Sequence, residues 1–419
     1  MKKVDLIGVG MTKFGKHSNK TSRDLLVEAT REAITSVDKG IDLKEDIKGL
    51  FVGYFTPSLY EHQGHFGPLV TEWLGLTGIP AFRTESACAS ASAALATGYF
   101  AVASGMYDVV MVAGVEKMTK LDTQGVTDAL SIAADDVFEL ATGITFPGLF
   151  ALMAQEYFEK YGGSWEDLQA VTLKNHYNGS LNPKAQFQAE ISAIAKKTAI
   201  KKGVTFKDEM DFLKSKYNPL VAYPLRLFDC SPISDGAAVA FLANSKISNR
   251  FTDKPLHIKG VGLSTDTLTV AGRPDLTTSE ATVNAAAAAY KMAGVTPNDI
   301  DIAEVHDCFT INEIILSEGL GFFKKGEGLK AAQEGRTSLS GDKPINTDGG
   351  LKSKGHPVGA TGIAMAQEIW EQLRGEAGER QVKSNPRIGL TCNVGGSNAS
   401  SMVFIFERGE KCHPQFKII

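Results

Sequence analysis

Apolar and polar positions along this chain follow two periods, one of short strands and one of longer helices, and the order of elements is used twice. Residues 6–10 read as a strand, residues 23–37 carry apolar side chains at helical spacing, and residues 47–53 are a short apolar strand closed by glycine. Residues 89–105 hold Ala, Ser and Gly on every face. That pattern predicts a helix buried between layers, with a strand at 109–113 after it. Further on come an alanine-rich helix at 278–292, a strand at 302–305, a helix at 358–373 and a strand at 388–391. Two segments also repeat directly. Leu6-Ile7-Gly8-Val9-Gly10 returns as Ile258-Lys259-Gly260-Val261-Gly262, and the stretch from Asp46 returns from Asp299, at nearly equal offsets. Matching order and spacing predict an internal duplication.

The expected organisation is an N-terminal half of residues 1–116 with 229–250, an inserted lobe of 117–228, and a C-terminal half of 251–419. The lobe is irregular and polar, with helical pieces at 150–161 and 165–177. Its section 184–216 carries eight lysines against four acids, which reads as a solvated face or as a docking surface for a phosphate-bearing ligand.

Length and composition narrow the class. The 419 residues exclude a single small module, and 43% apolar with 22% charged residues is that of a folded globular protein. A net charge of −4 supplies no global field for nucleic acid or an anionic membrane. The sequence has no apolar run of membrane-spanning length and no signal-peptide pattern, so a cytoplasmic location is expected. The five cysteines (Cys88, Cys230, Cys308, Cys392, Cys412) form no CxxC pair, which argues against a disulfide framework or a zinc site and for a reactive thiol.

Four segments can carry chemistry. In Glu85-Ser86-Ala87-Cys88-Ala89-Ser90, Cys88 precedes the buried helix, where the helix N-terminus favours a thiolate nucleophile; the alternative is a small core cysteine. Gly355-His356-Pro357-Val358-Gly359 holds the matching place in the second half and would bring His356 to Cys88. His306-Asp307-Cys308-Phe309 leaves the C-terminal end of a strand, where open α/β sheets hold their sites. Cys392-Asn393-Val394-Gly395-Gly396-Ser397 offers glycine amides for an oxyanion. Cys230 and Cys412 lack such settings and read as structural.

Together the SACAS, HDCF and GHPVGATG segments resemble the thiolase superfamily, and HDCF is similar to the sterol-carrier-protein and archaeal types. That resemblance implies a five-layered α/β/α/β/α fold of two duplicated halves with a lobe over coenzyme A. It implies Cys88 as acyl-accepting nucleophile, His356 as its activator, His306 in the first oxyanion hole, and Cys308 as the acid/base at the α-carbon. The Cys88 and Gly395 amides would form the second hole, and Phe146 and Asn393 would contact substrate. The chain departs from the CxGGG pattern, with Cys392 one position early, so no role passes to it. The implied activity is thiolysis of a 3-oxoacyl-CoA, acetoacetyl-CoA or a larger or aromatic one, or the reverse condensation. Coenzyme A would be a co-substrate, with no permanent cofactor and no metal. A homodimer is expected, with a small OB-fold and zinc-ribbon partner as a further possibility of the archaeal type. The competing readings are a decarboxylating ketoacyl-synthase-like enzyme, from the Cys-His-His set, and a non-catalytic acyl-CoA-binding scaffold.

Overall fold

In a computed structural model, which describes residues 1–409, successive side chains of the central strands are shared out between different cores. Strand β4 (Val109–Lys117) gives Val110 and Val112 to the middle of the molecule, and Val109, Met111 and Ala113 to an outer cluster. Strand β9 (Ser400–Arg408) does the same, with Met402, Phe404 and Phe406 inward and Val403 and Ile405 outward. A strand apolar on both faces must be covered on both, and this makes the layers. The middle layer is a pair of helices, α2 (Ser90–Ala103) and α7 (Thr361–Arg374), which pack on each other. The outer layers are α1 (Ser22–Thr35) on one side and α5 (Glu280–Ala293) on the other.

The remaining strands are β1 (Val4–Met11), β2 (Leu50–Gly53), β3 (Ala81–Thr84), β5 (Asp235–Asn244), β6 (Leu256–Thr265), β7 (Ile302–Val305) and β8 (Ile388–Gly395). Their order is β3-β2-β4-β5-β1 in one half-sheet and β6-β9-β8-β7 in the other. The central run of each half mirrors the other, as a duplication requires. The halves are not separate sheets, because β1 and β6 pair through Asp5–His257 and Leu6–Leu256, a ladder of two residue pairs. Between β4 and β5 the chain forms the lobe, whose helices α3 (Phe146–Tyr161) and α4 (Trp165–Ser180) pack against α6 (Thr310–Gly319). The helical pieces expected at 150–161 and 165–177 are thus α3 and α4, the first starting earlier and the second ending later than the sequence pattern marks. Among the described residues, no helix is long and apolar enough to cross a membrane.

Candidate active site

The turn before α2 is forced by its own backbone. Ala87 has φ +46°, a left-handed conformation uncommon outside glycine, and the Ser90 hydroxyl holds it by donating to the Ala87 carbonyl (2.6 Å). This presents Cys88 at the end of α2. Cys88 keeps some solvent access, yet the surroundings of its sulfur are dry, and burial pushes the thiol up to about 12. Two amides, those of Gly396 and of Cys88 itself, point at the sulfur and work the other way. Cys88 thus rests as a thiol.

His356 is seated by a turn built for close approach. A side chain on Gly114 of β4 would overlap the Gly359 carbonyl, and one on Gly359 would overlap the Val115 carbonyl. The Gly359 amide donates to the buried Glu116 carboxylate (2.7 Å), which also accepts from Phe55 (3.0 Å) and Thr56 (3.3 Å). Burial still raises Glu116 to about 8. His356 Nδ1 faces the Thr361 hydroxyl (2.7 Å), whose proton goes to the Pro357 carbonyl (3.0 Å). The hydroxyl can therefore only accept from His356, so Nδ1 carries the proton and Nε2 is a free base. Burial holds His356 neutral, depressed to about 3.

His306 follows β7, its carbonyl tied by the Asn312 side chain (2.6 Å). The His306 and His356 rings meet edge to face, centroids 4.9 Å apart. Cys88 Sγ and one ring nitrogen from each histidine lie within 4.8 Å of one another, and both Nε2 atoms lack a hydrogen-bond partner among the described residues. Cys308 is buried beside them; burial drives its thiol well up, with neighbouring Cys88 and Asp307 adding to the effect.

The structure thus brings Cys88, His306, Cys308 and His356 into one cluster. Asn393 joins them, donating to the Cys88 carbonyl (3.2 Å) and to His306 Nδ1 (2.8 Å) and accepting from the Ser92 hydroxyl (2.9 Å). Gly395 lies against the Ser86 carbonyl, but the amide of this segment that reaches the Cys88 sulfur belongs to Gly396, whose φ of +61° turns the chain there. Phe146 is half-buried against the cluster of Cys308 and Phe309, while Phe150 stacks on Phe309 (4.7 Å) as core and Phe138 is 72% exposed. Cys392 points the other way, its Sγ 3.7 Å from the Ser401 hydroxyl in the outer core. Cys230 packs on the Cys308 side, its thiol 3.4 Å from the Arg226 carbonyl; Cys412 lies outside the described residues. Sequence reasoning missed Ser92, Thr361 and Glu116, which look like ordinary helix and strand residues.

Comparison with known proteins fixes the relationship. Residues 4–246 match the family described as Thiolase, N-terminal domain, and residues 262–408 match Thiolase C-terminal domain-like. The chain belongs to the thiolase family. It is 45% identical over 408 residues to the acetyl-CoA acetyltransferase of Methanothermobacter thermautotrophicus, covering 97% of this chain and 100% of that one. It is 32% identical over 411 residues to human sterol carrier protein 2, covering 94% of this chain and 70% of that one. Among solved structures, the Ltp2-ChsH2(DUF35) aldolase superposes with a TM-score of 0.78 at 22% identity, covering 98% of this chain and 99% of that one, a likeness of fold. As a member of this family the thiolase is a coenzyme A-dependent acyltransferase with the expected layered fold.

Proposed function

We propose that this thiolase cleaves a 3-oxoacyl-CoA with free coenzyme A, or runs the reverse condensation, through an acyl group on Cys88. The observation that carries this reading is the second thiol, Cys308, buried beside a Cys-His-His cluster. In the cleavage direction, Cys88 attacks the 3-oxo carbon while His356 Nε2 takes its proton. The protonated His356 and His306 Nε2–H then face the oxyanion, each donor worth ~3 kcal/mol. The carbon–carbon bond breaks, and the leaving acetyl-CoA carbanion takes its proton from Cys308. A thiol held neutral by burial suits that acid role. Coenzyme A enters, gives its thiol proton to the Cys308 thiolate and attacks the acyl-cysteine. Cys88 leaves and recovers its proton from His356. The amides of Cys88 and of the Gly395–Gly396 turn serve the thioester oxygen.

The lobe of residues 117–228 covers coenzyme A in this reading, between the halves formed by 1–116 with 229–250 and by 251–419. The acyl group is acetoacetyl or a larger or aromatic 3-oxoacyl chain bordering Phe146. A homodimer in the cytoplasm, with a small OB-fold and zinc-ribbon partner, completes the proposal; the naming of the aldolase neighbour with a DUF35 component supports a second subunit. Decarboxylative condensation would leave Cys308 without work. The test is thiolysis across a panel from acetoacetyl-CoA to aryl 3-oxoacyl-CoAs, with mass spectrometry of the trapped enzyme. The acyl adduct is expected on the Cys88 peptide. An adduct on Cys308 or Cys392, or carbon dioxide release from malonyl-CoA without thiolysis, refutes it.

A further inference from the structure

We propose that Asn393 is a positioning residue that holds His306 as the Nε2–H tautomer, which keeps His306 a hydrogen-bond donor toward the reacting oxygen and prevents it from ligating a metal. The consequence for the reaction rests on the thiolysis reading above; the tautomer itself rests on geometry alone.

The orientation of the Asn393 amide is fixed from both ends. Its nitrogen faces the Cys88 carbonyl, which can only accept, and its oxygen receives the Ser92 hydroxyl. The second proton of that nitrogen therefore points at His306 Nδ1, 2.8 Å away. A nitrogen that accepts has no proton, and a buried neutral imidazole carries only one, so it sits on Nε2. His356 is held in the opposite sense by Thr361. Two rings 4.9 Å apart thus present unlike groups to one spot, a donor and a base.

The metal follows from the same polarity. A thiol and two imidazoles within 4.8 Å of one another are a donor set for zinc. Ligation by His306 Nε2 needs the lone pair there and an acceptor facing Nδ1–H. Asn393 offers a donor instead.

Asn393→Asp reverses that group in place. In 15N-histidine NMR, with His306 assigned by its loss in His306→Asn, the native protein should show Nε2 protonated and Asn393→Asp should show Nδ1 protonated. Asn393→Asp should lose ~10²–10³-fold in thiolysis, the worth of one oxyanion donor, while exchange of labelled coenzyme A into acyl-CoA falls less than ~10-fold. Zn²⁺ should protect Cys88 from alkylation at concentrations ~10- to 100-fold lower in Asn393→Asp than in the native protein. If Asn393→Asp fails to fold, Asn393→Ala takes its place, with a mixture of both His306 tautomers expected. A native Nδ1–H, a variant spectrum unchanged at His306, or equal Zn²⁺ protection overturns the proposal. Expected spectra in a protein that thiolyses nothing leave the tautomer standing and sink the proposed function.

Discussion

Replacing Thr361 with valine keeps the shape of the side chain and removes the acceptor that faces His356 Nδ1–H. Thr361 is fully buried, so no water replaces the hydroxyl, and the loss of its bond to the Pro357 carbonyl is common to every state of the reaction. In the resting enzyme a neutral imidazole donates across 2.7 Å, a bond worth ~1 kcal/mol. At the acylation transition state His356 becomes an imidazolium, and the same bond is worth ~1.5–3 kcal/mol. The difference of ~0.5–2 kcal/mol is a ~2- to 30-fold slowing of acylation at ~1.4 kcal/mol per factor of ten. Thr361→Ser, which restores the hydroxyl, should recover most of the rate. The assay is labelled coenzyme A exchange into acyl-CoA, read beside the thermal midpoint. Native exchange in Thr361→Val, or equal damage from Thr361→Ser, refutes the reasoning.

Cys308→Ala should retain coenzyme A exchange through Cys88 and lose ~10²–10⁴-fold in thiolysis, whereas Cys392→Ala, in the outer core, should leave both rates near native; the reverse pattern would place the acid/base at Cys392. His176, buried among Phe187 and Phe228 outside the site, is depressed by burial from 6.5 to about 3. Unfolding then takes up its proton as pH falls, so the stability it confers is whole above pH ~6.5 and drains toward pH 3 at up to ~1.4 kcal/mol per unit. His176→Gln should lower the slope of unfolding free energy against pH by one proton between about pH 4 and 6, and an unchanged slope would show that His176 charges in the folded state.

What could be read from the sequence was what leaves a local trace. The Ala89–Gly105 run gave away its burial because small residues on every face suit only a helix touched all round, and Ile302–Val305 ended where an apolar strand meets His306. Cys88 and both histidines stood at turns between such elements. Strands β5 and β9 went unread, although both lie inside the sheet, because strands buried on both faces lose the alternation that marks them. The polar lobe showed α3 and α4 by their helical spacing but hid the helix Ile191–Lys202, which buries only Ile191 and Ala195 and so leaves almost no apolar stripe to read. Ser92 and Asn393 are 301 residues apart, and nothing in either neighbourhood signals the other. A Gly-Gly pair likewise does not disclose which of its amides the fold turns toward the thiol.

The touching helices of the middle layer have a consequence for motion. A side chain on Gly362 would overlap the Ser92 hydroxyl and crowd the Asn393 amide oxygen, so the two halves meet there with less than a methyl group to spare. Cys88 and His356 ride on opposite sides of that joint. A hinge between the halves would have to break that contact and would carry Cys88 away from His356, so the spacing of these two side chains is set as the two middle helices pack during folding.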